Sequence, residues 1–328
     1  MVTESGPAHP TVAVLYADDR PSGLAAFDGR ARFVLVTEDE LPAALKDADA
    51  LLVWDFRSRA VPAAWPVDGP HPRWVHVAAA GVDTVLCPAL REGGVTVTNS
   101  RGVFDTPIAE YVTGLVLAMA KGMPDTLAAQ RERRWAYRET ESVAGRSALV
   151  VGTGPIGRAI ARMLTAVGLR VTGVGRTERA SDADFGTVHG FPALPGLLGD
   201  ADYVVLAAPL TEQTTGMIDA AALAAMRPGA RLVNIGRGPL VVTADLVAAL
   251  TAGRIAGAAL DVFDTEPLPP DSPLWTVPGL VVSPHMSGDT LGWRDDLAAL
   301  FADNLDRWLA DQPLRNVVDL RLGYVPTG

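Results

Sequence analysis

Short runs of β-branched and other apolar residues alternate along this 328-residue chain with segments rich in alanine and leucine. Most of these runs are apolar or β-branched over nearly their whole length, as in strands that are buried on both faces of a sheet. The alternation predicts parallel β-sheets covered by helices on both faces, in an α/β fold. The predicted strands are, in chain order, TVAVLY, RFVLVT, ALLVW, WVHVAA, VTVTN, SALVVG, RVTGVG, YVVLAA, RLVNIG, GAALDVF and LVVSPH.

The chain is long enough for two doubly wound domains, each with its own core. We place the break between them in NSRGVFDTPIAEYVTGLVLAMAKG, where Asp105 or Thr106 is expected to cap a long apolar helix with Pro107 in its first turn. A last helical run, GWRDDLAALFADNLDRWLADQPL, follows the final strand. If this helix returns to the first domain, that domain is discontinuous and the chain crosses between the domains twice.

The charge of the chain restricts its partners. A net charge of −10 argues against a nucleic-acid or anionic-membrane surface, since both need a basic footprint. No uninterrupted apolar run approaches the roughly twenty residues that cross a bilayer. The start, MVTESGPAHP, lacks the charged-then-apolar layout of a signal peptide. We therefore expect a cytoplasmic protein without nucleic-acid or membrane partners.

Metal and thiol chemistry have little support in the sequence. Cys87 is the single cysteine, which excludes an internal disulfide and a multi-cysteine metal site. Its apolar setting, VLCPAL, predicts a buried packing residue and not a nucleophile. No pair of histidines or acidic cluster shows the spacing of metal ligands, so we expect no metal site.

A glycine-rich turn joins a predicted strand to a predicted helix in ALVVGTGPIGRAIARML. Its GxGxxG spacing allows a tight bend and close backbone approach to a pyrophosphate at the positive helix N-terminus. The spacing alone is weak evidence, but here a strand precedes it, a helix follows, and the strand RVTGVG comes next. The sequence therefore predicts a dinucleotide site that includes Gly152, Gly154, Pro155, Ile156 and Gly157.

The end of the strand RVTGVG discriminates between two dinucleotides. NAD enzymes usually place an acid there, about twenty residues beyond the glycine turn, to bind the ribose hydroxyls. This chain has Gly175, which leaves room, followed by Arg176, which can pair with the 2′-phosphate of NADP. Thr177 and Arg179 can add hydrogen bonds and charge. The pattern predicts a preference for NADP(H) over NAD(H), because a merely solvated loop would explain the arginines but not the missing acid.

Three further segments, LVNIGRGPLV, ALDVFDTEPLP and VVSPHMSG, stand at strand ends of the same domain. Ligands of open α/β sheets bind at the carboxyl ends of the strands, so Arg237, Glu266 and His285 can converge there. Taken singly, each also has a structural interpretation, as a surface cation, a loop acid and a structural histidine. Together they are the catalytic candidates of the chain.

The chain resembles the D-isomer-specific 2-hydroxyacid dehydrogenase family over essentially its full length. MRPGARLVNIGRGPLV, GAALDVFDTEPLP and SPHMSG are similar to its three signature regions, and APLTEQTTGMID is similar to a segment beside the nicotinamide. The resemblance implies an NAD(P)-binding Rossmann domain over residues 102–286. It also implies a discontinuous flavodoxin-like substrate domain over residues 1–101 and 287–328.

The resemblance implies roles for individual residues. Arg237 would hold the carboxylate and carbonyl of a 2-keto acid with its planar fork, which lysine could not reproduce. His285 would donate a proton to the ketone oxygen, and Glu266 would orient its ring and favour its protonated form. The backbone amides of Ala80 and Gly81 resemble a second carboxylate cradle. Further cofactor contacts are implied for the backbone around Ala208, Pro209 and Ile235, for Asp261 at the nicotinamide carboxamide and for His285.

These roles imply an NADP-dependent reductase of small 2-keto acids, of the glyoxylate or hydroxypyruvate type, that produces D-2-hydroxy acids. The alternative is a dinucleotide-sensing corepressor or scaffold of the same fold with little turnover. Phosphoglycerate dehydrogenases fit less well because the acid for NAD is absent. Formate dehydrogenases of the family carry glutamine in place of Glu266.

A homodimer is expected, because the apolar helix AEYVTGLVLAMA can supply a symmetric face. In RERRWAYRE, Trp135 resembles residues that reach the partner's substrate pocket in glyoxylate and hydroxypyruvate reductases. Packing within its own chain is the alternative for this tryptophan.

Overall fold

The computed structural model describes residues 9–326, which divide into two compact units. One unit comprises residues 9–103 and 290–326, and the other is Phe104–Asp289. The chain leaves the first unit after Val103 and returns after Asp289, where the sequence predicted crossings after residues 101 and 286. The predicted lack of a signal peptide concerns a segment that lies, for residues 1–8, outside the described residues.

The first unit contains a five-stranded sheet in which every neighbouring pair is parallel. Its strands are β1 (Thr11–Leu15), β2 (Arg32–Val36), β3 (Ala50–Val53), β4 (Trp74–Val77) and β5 (Thr96–Asn99). Their order, β2-β1-β3-β4-β5, is the flavodoxin-like arrangement. Strands β3 and β4 are buried at every position, as expected of parallel strands covered on both faces, and β4 includes the buried His76.

The second unit contains an eight-stranded sheet. Its strands are β6 (Ser147–Val151), β7 (Arg170–Gly175), β8 (Arg179–Asp182), β9 (Gly186–Gly190), β10 (Tyr203–Leu206), β11 (Arg231–Asn234), β12 (Gly257–Leu260) and β13 (Leu280–Val282). The order is β13-β12-β11-β10-β6-β7-β9-β8, and all pairs are parallel except β8 with β9. Strands β9-β7-β6-β10-β11-β12 reproduce the 3-2-1-4-5-6 order of the Rossmann fold, and the strand order reverses between β6 and β10.

Helices connect the strands of both sheets. They are α1 (Leu41–Asp47), α2 (Val61–Ala64), α3 (Pro88–Glu92), α4 (Asp105–Ala120), α5 (Met123–Arg131), α6 (Pro155–Ala166), α7 (Leu194–Leu197), α8 (Ala220–Ala225), α9 (Thr243–Thr251) and α10 (Trp293–Leu309). Short 3₁₀ turns cover Leu24–Phe27, Phe191–Ala193, Leu198–Asp200, Gly238–Leu240 and Pro273–Thr276. Within residues 9–326, no helix combines the length and the apolar character that a membrane span requires.

The last helix, α10, packs on the first unit. Trp74 of β4 lies 5.6 Å, between ring centroids, from each of two α10 aromatic side chains, Phe301 and Trp308. Arg30 adds an ion pair of 2.8 Å to Asp306 of the same helix. The first unit is therefore discontinuous. Within it, Cys87 is buried and free, as predicted.

A hairpin at the edge of the second sheet is missing from the predicted strands. Strands β8 and β9 have the sequences RASD and GTVHG, which contain no continuous apolar run. Ion pairs hold the hairpin instead: Arg158 of α6 binds Asp182 at 2.9 Å and Asp184 at 2.8 Å. The Arg158 guanidinium is the main reason why the pKa of Asp182 lies well below its usual range.

The predicted cap of α4, Asp105 or Thr106, is wrong by one or two residues. Phe104 occupies the N-cap and Asp105 is the first helical residue, because the Ile108 N–H already donates to the Phe104 carbonyl at 3.0 Å. Pro107 lies in the first turn, as predicted, where its missing N–H costs no helical hydrogen bond.

We expect Gly157→Ala to lower the melting temperature, because a Cβ atom there would collide with the Gly152 carbonyl oxygen. The carbonyl oxygen belongs to the backbone and cannot rotate away, so the free energy of unfolding should fall by about 1–3 kcal/mol or more. Gly154→Ala is the matched control, since a Cβ atom there meets nothing within 4 Å. Calorimetry of both variants checks this; equal losses of melting temperature would contradict it.

Candidate active site

The GxGxxG turn lies between β6 and α6, as the sequence predicted. Gly152 has a φ of +109°, and a Cβ atom there would collide with the Ala207 backbone after β10. On its other side the turn is open, because a Cβ atom at Gly154 would meet nothing within 4 Å. Gly154 is also the N-cap of α6 and has no side chain that could accept from the N–H groups of the first turn. Ile156 and Gly157 carry such N–H groups, whereas Pro155 has none. The turn therefore fits the pyrophosphate of a dinucleotide.

The residues that end β7 differ in how they are held. Gly175 is buried, whereas Arg176 and Thr177 are exposed. Arg179, at the start of β8, donates from its Nε to Asp182 at 2.7 Å. Its Nη2 is buried and has no hydrogen-bond partner among the described residues. Arg179 is thus partly engaged in the hairpin, while Arg176 and Thr177 face solvent at the strand end.

The predicted nicotinamide-side residues follow two neighbouring strands. Ala208 and Pro209 come after β10, and Ile235 comes after β11. Ala208 and Ile235 are buried, and the Pro209 carbonyl accepts a hydrogen bond of 2.7 Å from the Thr214 hydroxyl. Since β10 is the neighbour of β6, these residues and the glycine turn lie at the same end of the sheet, where the strands have their carboxyl ends.

The loop of Arg237 is held by a buried amide. Asn234, completely buried at the end of β11, donates from its Nδ2 to the Arg237 carbonyl at 2.9 Å and accepts from the Gly236 N–H at 3.1 Å. A Cβ atom at Gly238 would collide with the Phe263 backbone, so this loop abuts the loop after β12. Asn234 is absent from the predicted site residues; its signal in the sequence is a polar residue directly after the apolar pair Leu232 and Val233.

Glu266 and His285 form a direct pair. The Glu266 Oε2 lies 2.7 Å from the His285 Nδ1, and the Glu266 Oε1 accepts a hydrogen bond of 2.8 Å from the Phe263 N–H. The His285 side chain is 33% exposed and that of Glu266 is 30% exposed, so a ligand can reach the pair.

The charge state of the pair follows from its surroundings. Burial raises the pKa of Glu266, but the hydrogen bonds from His285 and the Phe263 N–H outweigh it, and the charge of Arg237 acts in the same direction. The net pKa lies below the ordinary value, so Glu266 is ionised at neutral pH. An ionised carboxylate only accepts, so Nδ1 of His285 carries the hydrogen and Nε2 remains to exchange a proton with a ligand.

A buried carboxylate fixes the loop that carries His285. Asp261 has no exposed surface and accepts hydrogen bonds from the Ser283 hydroxyl at 2.6 Å, the Met286 N–H at 3.0 Å and the Ser287 N–H at 2.9 Å. His285 itself has a φ of +51°, in the left-handed region. This arrangement gives Asp261 a positioning role, and its contact with a nicotinamide carboxamide stays a prediction.

The proposed second carboxylate cradle belongs to the other unit. Ala80 and Gly81 follow β4 and are half-buried, and Asn99 donates from its Nδ2 to the Ala80 carbonyl at 2.6 Å. Their role in substrate binding stays a prediction. In residues 9–326, no group of three or more His, Cys, Asp or Glu side chains is arranged to hold a metal ion.

Comparison with known proteins decides the family. The model described as "D-isomer specific 2-hydroxyacid dehydrogenase, NAD binding domain" matches residues 113–287, more than half of the chain. The chain belongs to the D-isomer-specific 2-hydroxyacid dehydrogenase family. This dehydrogenase is 34% identical over 270 residues to a glyoxylate reductase of Thermococcus gammatolerans, covering 80% of each chain.

Two solved structures are similar to the dehydrogenase over nearly all of both chains. A D-isomer specific 2-hydroxyacid dehydrogenase from Xanthobacter autotrophicus, in complex with NADPH and MES, is 32% identical with a TM-score of 0.79, over 97% of this chain and 100% of the other. An NADPH-dependent glyoxylate/hydroxypyruvate reductase from Sinorhizobium meliloti, in complex with NADP and malonate, is 27% identical with a TM-score of 0.81, over 98% and 100%.

The family and the fold together establish the general activity. The chain is an NAD(P)-dependent oxidoreductase of 2-hydroxy and 2-keto acids, and its two α/β domains are those of the family. The matched NAD-binding segment lies inside the unit Phe104–Asp289, which contains the glycine turn and the residues Arg237, Glu266 and His285.

We expect Asp261→Asn to lower the free energy of unfolding by about 1–3 kcal/mol, because an amide turned toward three donors leaves at least one of them without an acceptor. Asp264→Asn is the matched control, since Asp264 accepts from the Thr243 hydroxyl near the surface. Thermal unfolding of both variants measures the effect. A control that loses as much stability as Asp261→Asn would contradict the positioning role.

Proposed function

We propose that the chain is an NADPH-dependent reductase of small 2-keto acids, of the glyoxylate and hydroxypyruvate type, that forms D-2-hydroxy acids. The observation that carries the proposal is the Glu266–His285 pair, 2.7 Å apart, in loops that adjoin the loop of Arg237 at the carboxyl ends of the strands. A proton donor and a cation for a carboxylate are what reduction of a 2-keto acid requires.

Arg237 binds the substrate. Its guanidinium is planar and permanently charged, so it can take the carboxylate and the neighbouring carbonyl oxygen of a 2-keto acid together. Its backbone is fixed by Asn234 and by the close approach of Gly238 to Phe263, which limits the freedom of the side chain at its root. The backbone amides of Ala80 and Gly81 stay candidates for a second carboxylate contact.

His285 supplies the proton. When bound, NADPH would supply the hydride that the carbonyl carbon needs. His285 donates from Nε2 to the carbonyl oxygen, which becomes the hydroxyl of the product. Glu266 keeps the ring oriented through Nδ1 and stabilises its positive charge before the transfer. After the transfer, Nδ1 still carries its hydrogen, so Nε2 is ready to take up a proton from solvent.

The preference for NADPH rests on the end of β7. Gly175 carries no acid to bind ribose hydroxyls, and the exposed Arg176 and Thr177 stand next to it. Two relatives with known structures bind NADPH or NADP. The same end of the strand would repel a 2′-phosphate if an acid stood there, because like charges at short range cost free energy.

A homodimer is part of the proposal. Trp135 is 98% exposed and Tyr137 is 87% exposed, which rules out packing of Trp135 in the core of its own unit. Half-exposed Met123 and Leu127 of α5 precede them in the chain. Apolar side chains so exposed favour a contact with a second copy of the chain. Cytoplasmic localisation also stays a prediction.

His285→Asn should lower kcat by about 10²–10⁴, because it removes the proton donor while keeping a side chain of similar reach. The assay is the initial rate of NADPH oxidation with glyoxylate, hydroxypyruvate and phenylpyruvate in parallel. NADPH binding, measured without keto acid, should be preserved. His71→Asn, in a half-buried loop of the other unit, is the matched control with an unchanged rate. Wild-type protein that binds NADPH but turns over none of these acids would favour the scaffold alternative.

Arg176→Ala should weaken the binding of NADPH far more than the binding of NADH. A charged hydrogen bond to the 2′-phosphate contributes about 1.5–3 kcal/mol, which corresponds to a rise of roughly 10- to 100-fold in the KM for NADPH. The KM for NADH should change by less than about 3-fold. Arg170→Ala is the matched control, because Arg170 is exposed at the opposite end of the same strand. Equal losses for the two cofactors would overturn the assignment.

A further inference from the structure

The side chain of Thr153 lies against the end of β7. Thr153 is the second residue of the GTGPIG turn, and both of its γ atoms face the strand. A Cβ atom placed at Gly175 would lie 2.5 Å from the Thr153 Oγ1 and 3.2 Å from its Cγ2. A Cβ atom at Gly173 would lie 3.0 Å from the same Cγ2 and 2.9 Å from the ring of Phe185. The face of β7 above these two glycines is therefore already occupied.

Rotation of Thr153 clears this space only in part. Threonine carries two heavy atoms on Cβ, so in every staggered rotamer at least one of them stays in one of the two places that face β7. The less crowded of these places still lies 3.2 Å from a Cβ atom at Gly175. The Thr153 Cβ is 3.4 Å away, which is an ordinary contact, so the γ atoms alone create the conflict.

The backbone offers no easy relief. The Gly152 N–H donates to the Val174 carbonyl at 2.8 Å, which ties the turn to β7. On the other side of β7, Gly175 pairs with Gly190 of β9. Moving the end of β7 away from Thr153 would disturb one of these two connections.

We propose that Thr153 is a specificity-determining residue that acts together with Gly175: its γ atoms close the end of β7 to the acid that would bind the ribose hydroxyls of NAD. Cofactor preference is then encoded by the pair and not by the missing acid alone. This inference rests on the proposed preference for NADPH. It predicts that an acid at position 175 raises the affinity for NADH only when residue 153 has no γ atoms.

The experiment compares Gly175→Asp alone with the double variants Thr153→Ala/Gly175→Asp and Thr153→Val/Gly175→Asp. Valine keeps both γ positions and is the matched control for alanine. Dissociation constants for NADPH and NADH are measured by nicotinamide fluorescence without keto acid, and melting temperatures by calorimetry.

We expect Gly175→Asp alone to raise the dissociation constant for NADPH more than 10-fold and to lower the melting temperature. Its dissociation constant for NADH should fall by less than 3-fold. The alanine double variant should recover the melting temperature and bind NADH at least 10-fold more tightly than Gly175→Asp alone. The valine double variant should behave like Gly175→Asp alone. Equal NADH affinities and equal melting temperatures in all three variants would overturn the proposal.

A second series keeps the test decisive if aspartate prevents folding. Gly175→Ala adds only the Cβ atom, and its cost in melting temperature is measured with threonine, valine or alanine at position 153. A cost that is the same in all three backgrounds would overturn the steric coupling. Wild-type protein that binds NADH as tightly as NADPH would instead refute the proposed cofactor preference, while this series would still report on the coupling.

Discussion

The buried carboxylate of Asp261 is the interaction on which the geometry of the active site depends. A charged group without exposed surface must find its hydrogen bonds inside the protein, and Asp261 finds three in the segment from Ser283 to Ser287. The chain therefore closes around it after β13, and His285 is presented from the middle of that closure. On the neighbouring strand, Asn234 holds the Arg237 loop in the same way. Two polar residues at the ends of these strands thus position both His285, the proposed proton donor, and Arg237, the proposed cation for the carboxylate.

Much of this arrangement is readable from the sequence because it follows from repeated local rules. Each of the eleven apolar runs contains a strand, and the GxGxxG turn stands between a strand and a helix as predicted. The convergence of Arg237, Glu266 and His285 follows from one general fact, that the carboxyl ends of parallel strands share an edge. Signals of this kind are independent of the exact distances between elements.

The features that the sequence did not predict depend on those distances. The β8–β9 hairpin lacks an apolar pattern and is held by Arg158 and two aspartates, a partnership that only the folded chain brings together. Arg179 was grouped with Arg176 as a cofactor residue, but its ion pair with Asp182 engages it in the hairpin. The conflict between Thr153 and position 175 is also invisible in a sequence, because it is a matter of tenths of an ångström between two elements.

The left-handed backbone at His285 has a consequence for how such a chain can change over time. A non-glycine residue in that conformation costs roughly 1–2 kcal/mol relative to glycine. Loss of the reaction would therefore open an easy route to a more stable protein, by a single substitution at this position. The backbone conformation therefore does not by itself favour a histidine at this position, and its proposed role as proton donor is what would maintain it there.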